Sequence, residues 1–162
     1  MIEPQSMVDS FGLNVHISQM QTEGLTHADS LLQLPFRGNC LNWVIGHILA
    51  DRDEIFTRLL GEQALLSETQ YTLYKTDSEP ITADKAGVIA LEELLTLLAK
   101  SQEVLAEKVG GLSLEAARDT IEVEGRANSL GEWLFGYYFH ETYHTGQTEI
   151  LRQLAGMDDK VI

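Results

Sequence analysis

Residues 129–156, SLGEWLFGYYFHETYHTGQTEILRQLAG, decide how the rest of the chain is read. Ser129-Leu130-Gly131-Glu132 is a capping box, in which serine and glutamate each satisfy an otherwise unpaired amide at a helix start. The helix it opens runs to about Ala155, before Gly156. On a 100° wheel His140 and His144 share a stripe with Trp133, Tyr137, Gln147, Leu151 and Leu154, whereas Thr145, Glu149 and Arg152 project away. The two histidines are therefore expected to point inward. At i, i+4 their Cβ atoms stand roughly 5–6 Å apart, close enough for both imidazoles to reach one ion. Burying two neutral imidazoles costs free energy unless both are hydrogen-bonded or coordinated. The pattern leaves two readings open: a metal-ligating pair, or two core histidines bonded to Tyr or Gln neighbours.

Three upstream segments also keep a helical period. Leu13, Ile17, Met20, Gly24, Ala28 and Leu31 recur every three or four residues until Pro35. A second helix, about 40 to 60, carries Leu41, Ile45, Ile48, Ile55 and Leu59 on one stripe and ends before Gly61. In the third, Val88, Leu91, Leu95, Leu98, Leu105 and Val109 keep an a/d rhythm between Thr82, a candidate N-cap, and Gly110-Gly111. The expected fold is all-α, a four-helix bundle forming one domain over residues 1–162. The connections 61–81 and 110–128 are longer than an up-down-up-down bundle needs and allow the second and third helices to run parallel. Within the later one, Thr120-Ile121-Glu122-Val123-Glu124 alternates before Gly125 and reads equally as a short strand or a solvated loop.

Composition narrows the function classes. A chain of 162 residues buries roughly two thirds of its unfolded surface and needs no disulfide to fold; Cys40, the single cysteine, can form no internal bridge. Lys+Arg 11 against Asp+Glu 25 gives a net charge of −14, which repels phosphate backbones and anionic lipid and argues against nucleic-acid or membrane partners. The first twenty residues include Glu3 and Asp9 and lack a basic start with an apolar core. No apolar run approaches the ~20 residues of a membrane span, so the expected location is cytoplasmic.

His47, in Leu41-Asn42-Trp43-Val44-Ile45-Gly46-His47, is the candidate third ligand. It lies about 100° from the centre of its helix's apolar stripe, grouped with Cys40, Val44, Asp51, Glu54 and Arg58, a position that suits a groove at the bundle's edge; taken alone, a histidine there reads more readily as a surface residue. His16 and His27 are eleven residues apart on one helix, about 16 Å along its axis, and cannot share an ion; they read as solvated or packing residues. His140-Glu141-Thr142-Tyr143-His144 is also a literal H-E-x-x-H, in which a zinc peptidase would use the glutamate as base. The extended form of that motif fails, because Gln147 stands where it needs glycine and Ile150 where it needs the last histidine.

Asn42-Trp43-Val44-Ile45-Gly46-His47-Ile48, the run from His140 to Gln147 and Leu151-Arg152-Gln153-Leu154-Ala155-Gly156 together resemble the DinB/YfiT-like superfamily. The resemblance spans nearly the whole chain in length and helix order and is most specific from His140 to Gly156. It implies a four-helix bundle of up-down-down-up order and a divalent metal, commonly nickel or zinc, held by His47, His140 and His144. Some members are thiol-dependent transferases or isomerases that use bacillithiol, mycothiol or glutathione. The expected function is thus that of a metalloenzyme with a three-histidine site catalysing thiol transfer to a small-molecule substrate, a metal-dependent hydrolase or a non-catalytic dimeric binding module being the rivals. Three neutral ligands leave the ion's full charge to acidify a thiol or water. Glu141, Tyr143 and Gln147 are the nearest candidates to orient ligands or move a proton, their alternative roles being surface charge, core packing and a bond to a neighbouring helix. A homodimer through helix faces is expected from the resemblance and from the apolar content of the third helix.

Overall fold

The computed structural model describes residues 3–162. Among the described residues there are six α-helices: α1 (Pro4–Thr22), α2 (His27–Ser30), α3 (Leu41–Glu54), α4 (Glu68–Tyr74), α5 (Leu91–Val109) and α6 (Leu130–Leu154). A two-stranded antiparallel ribbon, β1 (Thr120–Val123) and β2 (Arg126–Ser129), precedes α6. The protein is thus mostly helical with one small sheet, and the alternation at 120–123 is a strand. Residues 124–125, both with positive φ, make its two-residue turn. The four long helices pack pairwise: α1 lies against α5 and α6, and α3 lies against the same two.

α6 matches its local signals. Ser129 Oγ accepts from the Glu132 amide while Glu132 accepts from the Ser129 amide. Elsewhere the periodicity misleads. α1 begins at Pro4, a residue pre-set for a first turn, and stops at Thr22, so residues 13–31 are not one helix. Its inner face is Met7, Val8, Phe11, Asn14, Val15, Ser18, Gln21 and Thr22, and Leu13, expected inside, is exposed. With Pro4 also buried, four of the nine buried residues of α1 are polar, so an apolar stripe does not trace this face.

α5 starts at Leu91, not after Thr82. Gly87 adopts φ +91°, a left-handed conformation that ends any helix there. The Leu91 amide is instead capped by His27 Nδ1 at 3.3 Å, which makes His27 a packing residue, while His16 is exposed. The connection 61–81 is not bare loop either, since α4 occupies it with its own capping box at Ser67 and Gln70.

α3 continues into a π segment, Ile55–Leu59, a local widening of the helix. Every residue from Leu41 to Asp53 is buried, because α2, α4, α5 and α6 all pack around it. Two faces of this helix fix the site. Gly46 admits Tyr74 so closely that a Cβ there would stand 2.1 Å from the Tyr74 ring. Six residues on, Arg52 reaches α6 through two 2.8 Å bonds to Glu141 and is further held by Ser101 Oγ (2.9 Å) and the Phe11 carbonyl (3.2 Å). Arg152, expected to project outward, is likewise buried: its guanidinium donates to the Gln21 and Glu23 carbonyls at the end of α1, oxygens a helix leaves unpaired. Thr145, expected outside, is buried as well, and Glu149 is exposed.

A candidate three-histidine metal centre

His47 on α3 and His140 and His144 on α6 each offer one nitrogen, and the three nitrogens lie within 4.8 Å of one another. The ring centroids are 5.2 Å (His47–His140), 4.7 Å (His47–His144) and 4.6 Å (His140–His144) apart. His47 is 2% exposed, so it belongs to the interior rather than to an edge groove; α4 covers the side that the helical wheel leaves open.

Each imidazole is oriented through its other nitrogen. His47 Nδ1 donates to the Tyr74 carbonyl at 2.8 Å, His140 Nδ1 to Asp51 Oδ2 at 2.7 Å and His144 Nδ1 to Gln147 Oε1 at 2.9 Å. A carbonyl, a carboxylate and an amide oxygen only accept, which places the hydrogen on all three Nδ1 atoms and leaves three Nε2 lone pairs. Two of these, on His140 and His144, stand 3.0 Å apart. Lone pairs at that distance repel unless a cation lies between them. Two nitrogens about 2.1 Å from one ion at a right angle are roughly 3.0 Å apart, so the residues present fit a divalent metal. Imidazoles anchored by acceptors at Nδ1 are the usual form of a metal-binding histidine.

The Asp51 hydrogen bond lifts His140 above the ordinary imidazole value against the opposing effect of desolvation. Burial pulls His144 down to about 4, outweighing the Gln147 acceptor, with the neighbouring His47 and His140 adding to the fall. A proton entering this pair therefore settles on His140, whose Nε2–H can donate to His144, and so competes with a metal for the same two atoms.

The sequence did not single out the parts that hold the cluster in place. Trp43 stacks on His47, with centroids 4.5 Å apart and planes 16° from parallel, and its indole donates to Ser78 Oγ at 2.9 Å. Asp51, one turn beyond His47, joins α3 to α6; its second oxygen, Oδ1, lies 3.9 Å from His47 Nε2. The i, i+4 spacing of His47 and Asp51 was the available signal. One turn farther, Glu54 accepts from the hydroxyls of Tyr71 and Tyr137 and pairs with Arg58 at 3.3 Å. Burial, reinforced by Glu54, pushes Tyr71 up to about 12 and Tyr137 higher still, so both remain hydrogen-bond donors.

Of the other three singled-out residues, Gln147 is in contact with a ligand histidine as described. Tyr143 is 61% exposed, with its ring edge-on to His144 at 5.2 Å. Glu141 lies on the side of α6 facing Arg52, both of its oxygens taken by that guanidinium.

The chain resembles in fold the crystal structure of a conserved protein from Enterococcus faecalis, with a TM-score of 0.72 over 96% of this chain and 98% of that chain at 17% sequence identity. No protein-family model and no curated protein matches it. Among the described residues, no helix is long and apolar enough to cross a membrane.

Proposed function

We propose that the chain is a DinB-like metalloenzyme whose four long helices form an up-down-down-up bundle and whose His47, His140 and His144 hold one nickel or zinc ion for thiol-dependent transfer to a small-molecule substrate. The bundle reading is supported by the pairwise packing of α1 and α3 on α5 and α6. The observation that carries the metal reading is the convergence of three Nε2 lone pairs, each fixed by an acceptor on Nδ1. A divalent ion held by three neutral imidazoles keeps its charge and acts as a Lewis acid that favours the thiolate over the thiol.

The chain's own groups divide the remaining work. Trp43 and Tyr74 exclude water from His47 and hold its ring. Asp51 Oδ1, bonded to no other described residue, is the carboxylate oxygen placed to take a proton from a nucleophile. Glu141 is not available for that role, because Arg52 occupies it. The same Asp51 oxygen favours a second reading, metal-dependent hydrolysis, in which the proton comes from water. The homodimer belongs to this proposal too. The apolar stripe of α5 is spent inside the fold, and the large apolar side chains left in solvent include Phe135 and Phe139, one turn apart on α6.

Elemental analysis of protein purified without chelators tests the core of this reading. One ion per chain is expected, with each of His47→Ala, His140→Ala and His144→Ala losing most of it. Full occupancy in a His140→Ala, His144→Ala double variant refutes the assignment. A screen of electrophiles with and without low-molecular-weight thiols then separates transfer from hydrolysis.

A further inference from the structure

A cavity of about 290 Å³ lies between residues 34–39 and the second half of α6, and His144, Gln147 and Trp43 form part of its wall. It therefore abuts the histidine cluster. Its volume is at the small end of the roughly 300–1,000 Å³ typical of ligand pockets. We propose that this cavity is the substrate pocket and that it takes a small molecule with an apolar, preferably aromatic, body and one anionic group, the anion being met by Arg37. The proposal rests on the metal-centre reading for its chemistry, though not for its binding.

Three observations carry it. The first is charge: the chain has 25 acidic residues, yet none lines this cavity, and its single cationic lining residue is Arg37. The other arginines around the core are already committed, Arg52 to Glu141, Arg58 to Glu54 and Glu124, and Arg152 to Asp159. Among the described residues, no carboxylate lies within ion-pair distance of Arg37. A guanidinium free of partners offers a planar fork for a carboxylate or phosphate oxygen pair.

The second is the aromatic lining. Phe36 and Tyr143 are 64% and 61% exposed, apolar area that water disfavours and a flat ligand would cover, and Trp43 adds a third ring that is already rigid. The third is the construction of the loop. A Cβ on Gly38 would stand 2.5 Å from Leu34 Cδ1, so the turn that presents Arg37 packs against a lining residue.

A matched pair of probes decides the matter: phenylacetate and its neutral isostere phenylacetamide, titrated into metal-free and zinc-loaded protein by calorimetry. The indole N–H NMR signal of Trp43 reports location, and that of Trp133, which donates to the Ile121 carbonyl in β1 and packs against the other of the two core clusters, serves as internal control. The acid is expected to bind at least tenfold tighter than the amide, to shift Trp43 alone, and to lose that advantage in Arg37→Gln. Tyr143→Ala should weaken both probes alike. Equal affinity for the two probes, no binding of either, or an advantage unchanged in Arg37→Gln overturns the proposal. An advantage seen only with zinc and surviving Arg37→Gln assigns the anion to the ion and overturns it too. Should the histidines hold no metal, the comparison in metal-free protein still decides, so failure of one reading is not mistaken for failure of the other.

Discussion

Replacing Gly46 by alanine tests whether the candidate metal centre depends on the close packing of Tyr74 against α3. In an open helical position glycine-to-alanine stabilises by about 0.5–1 kcal/mol. At Gly46 the new Cβ would stand 2.1, 2.3 and 2.6 Å from Cδ1, Cε1 and Cγ of Tyr74, far inside contact distance. The ring cannot swing aside freely. Its hydroxyl donates to Asn42 Oδ1 and accepts from the Ile89 amide, both at 2.9 Å, and its carbonyl accepts from His47 Nδ1. Overpacking costs about 1–3 kcal/mol, and each buried hydrogen bond broken adds about 1. Set against the helix-propensity gain, the net loss is about 2–4 kcal/mol. Displacing the Tyr74 carbonyl also frees His47 to rotate, and loss of such an anchor costs about 10–100-fold in metal affinity. Urea unfolding of metal-free protein gives the first quantity and calorimetric zinc titration the second. Gly136→Ala is the control, since nothing lies within 4 Å of a Cβ there. If Gly46→Ala is as stabilising as Gly136→Ala and binds zinc as tightly as the parent, the packing argument is wrong.

Two further outcomes are expected. Glu141→Gln strips the buried Arg52 of its counter-charge but leaves it one acceptor oxygen, and should lower unfolding free energy by about 3 kcal/mol while the remaining hydrogen bond holds α6 in place and one ion per chain is still found; a loss of turnover at unchanged stability would instead restore Glu141 as a base. Phe135→Ser with Phe139→Ser should convert a dimer to a monomer in light scattering, and a parent protein that is monomeric at micromolar concentration removes the dimer altogether.

What could be read in the sequence follows how local each signal is. The capping box at Ser129, the length of α6 and the shared face of His140 and His144 all lie within one helix, and a helical wheel finds them. The partners of those residues do not. Asp51 and Glu141 find His140 and Arg52 across 89 positions, and the group that orients His47 is a backbone carbonyl, which has no residue signature. The inner face of α1 carries Asn14, Ser18, Gln21 and Thr22, which an apolar stripe cannot reveal, and the left-handed turn at Gly87 that delays α5 to Leu91 leaves no mark in the periodicity. The wheel places His47 at a groove edge and leaves its link to the other two to the family resemblance for support, since its own helix is buried all round.

The Arg52–Glu141 pair has a geometric consequence for the three-histidine cluster. Neighbouring residues on a helix point about 100° apart, so a glutamate locked toward Arg52 dictates the azimuth of His140 beside it. A ligand nitrogen roughly 6 Å from the axis moves about 2 Å when its helix turns by about 20°, as much as the whole length of a metal–nitrogen bond. The two 2.8 Å bonds between Glu141 and Arg52 act as a torsional stop on α6. A charge pair that touches no ligand thereby keeps two imidazoles in phase with the third.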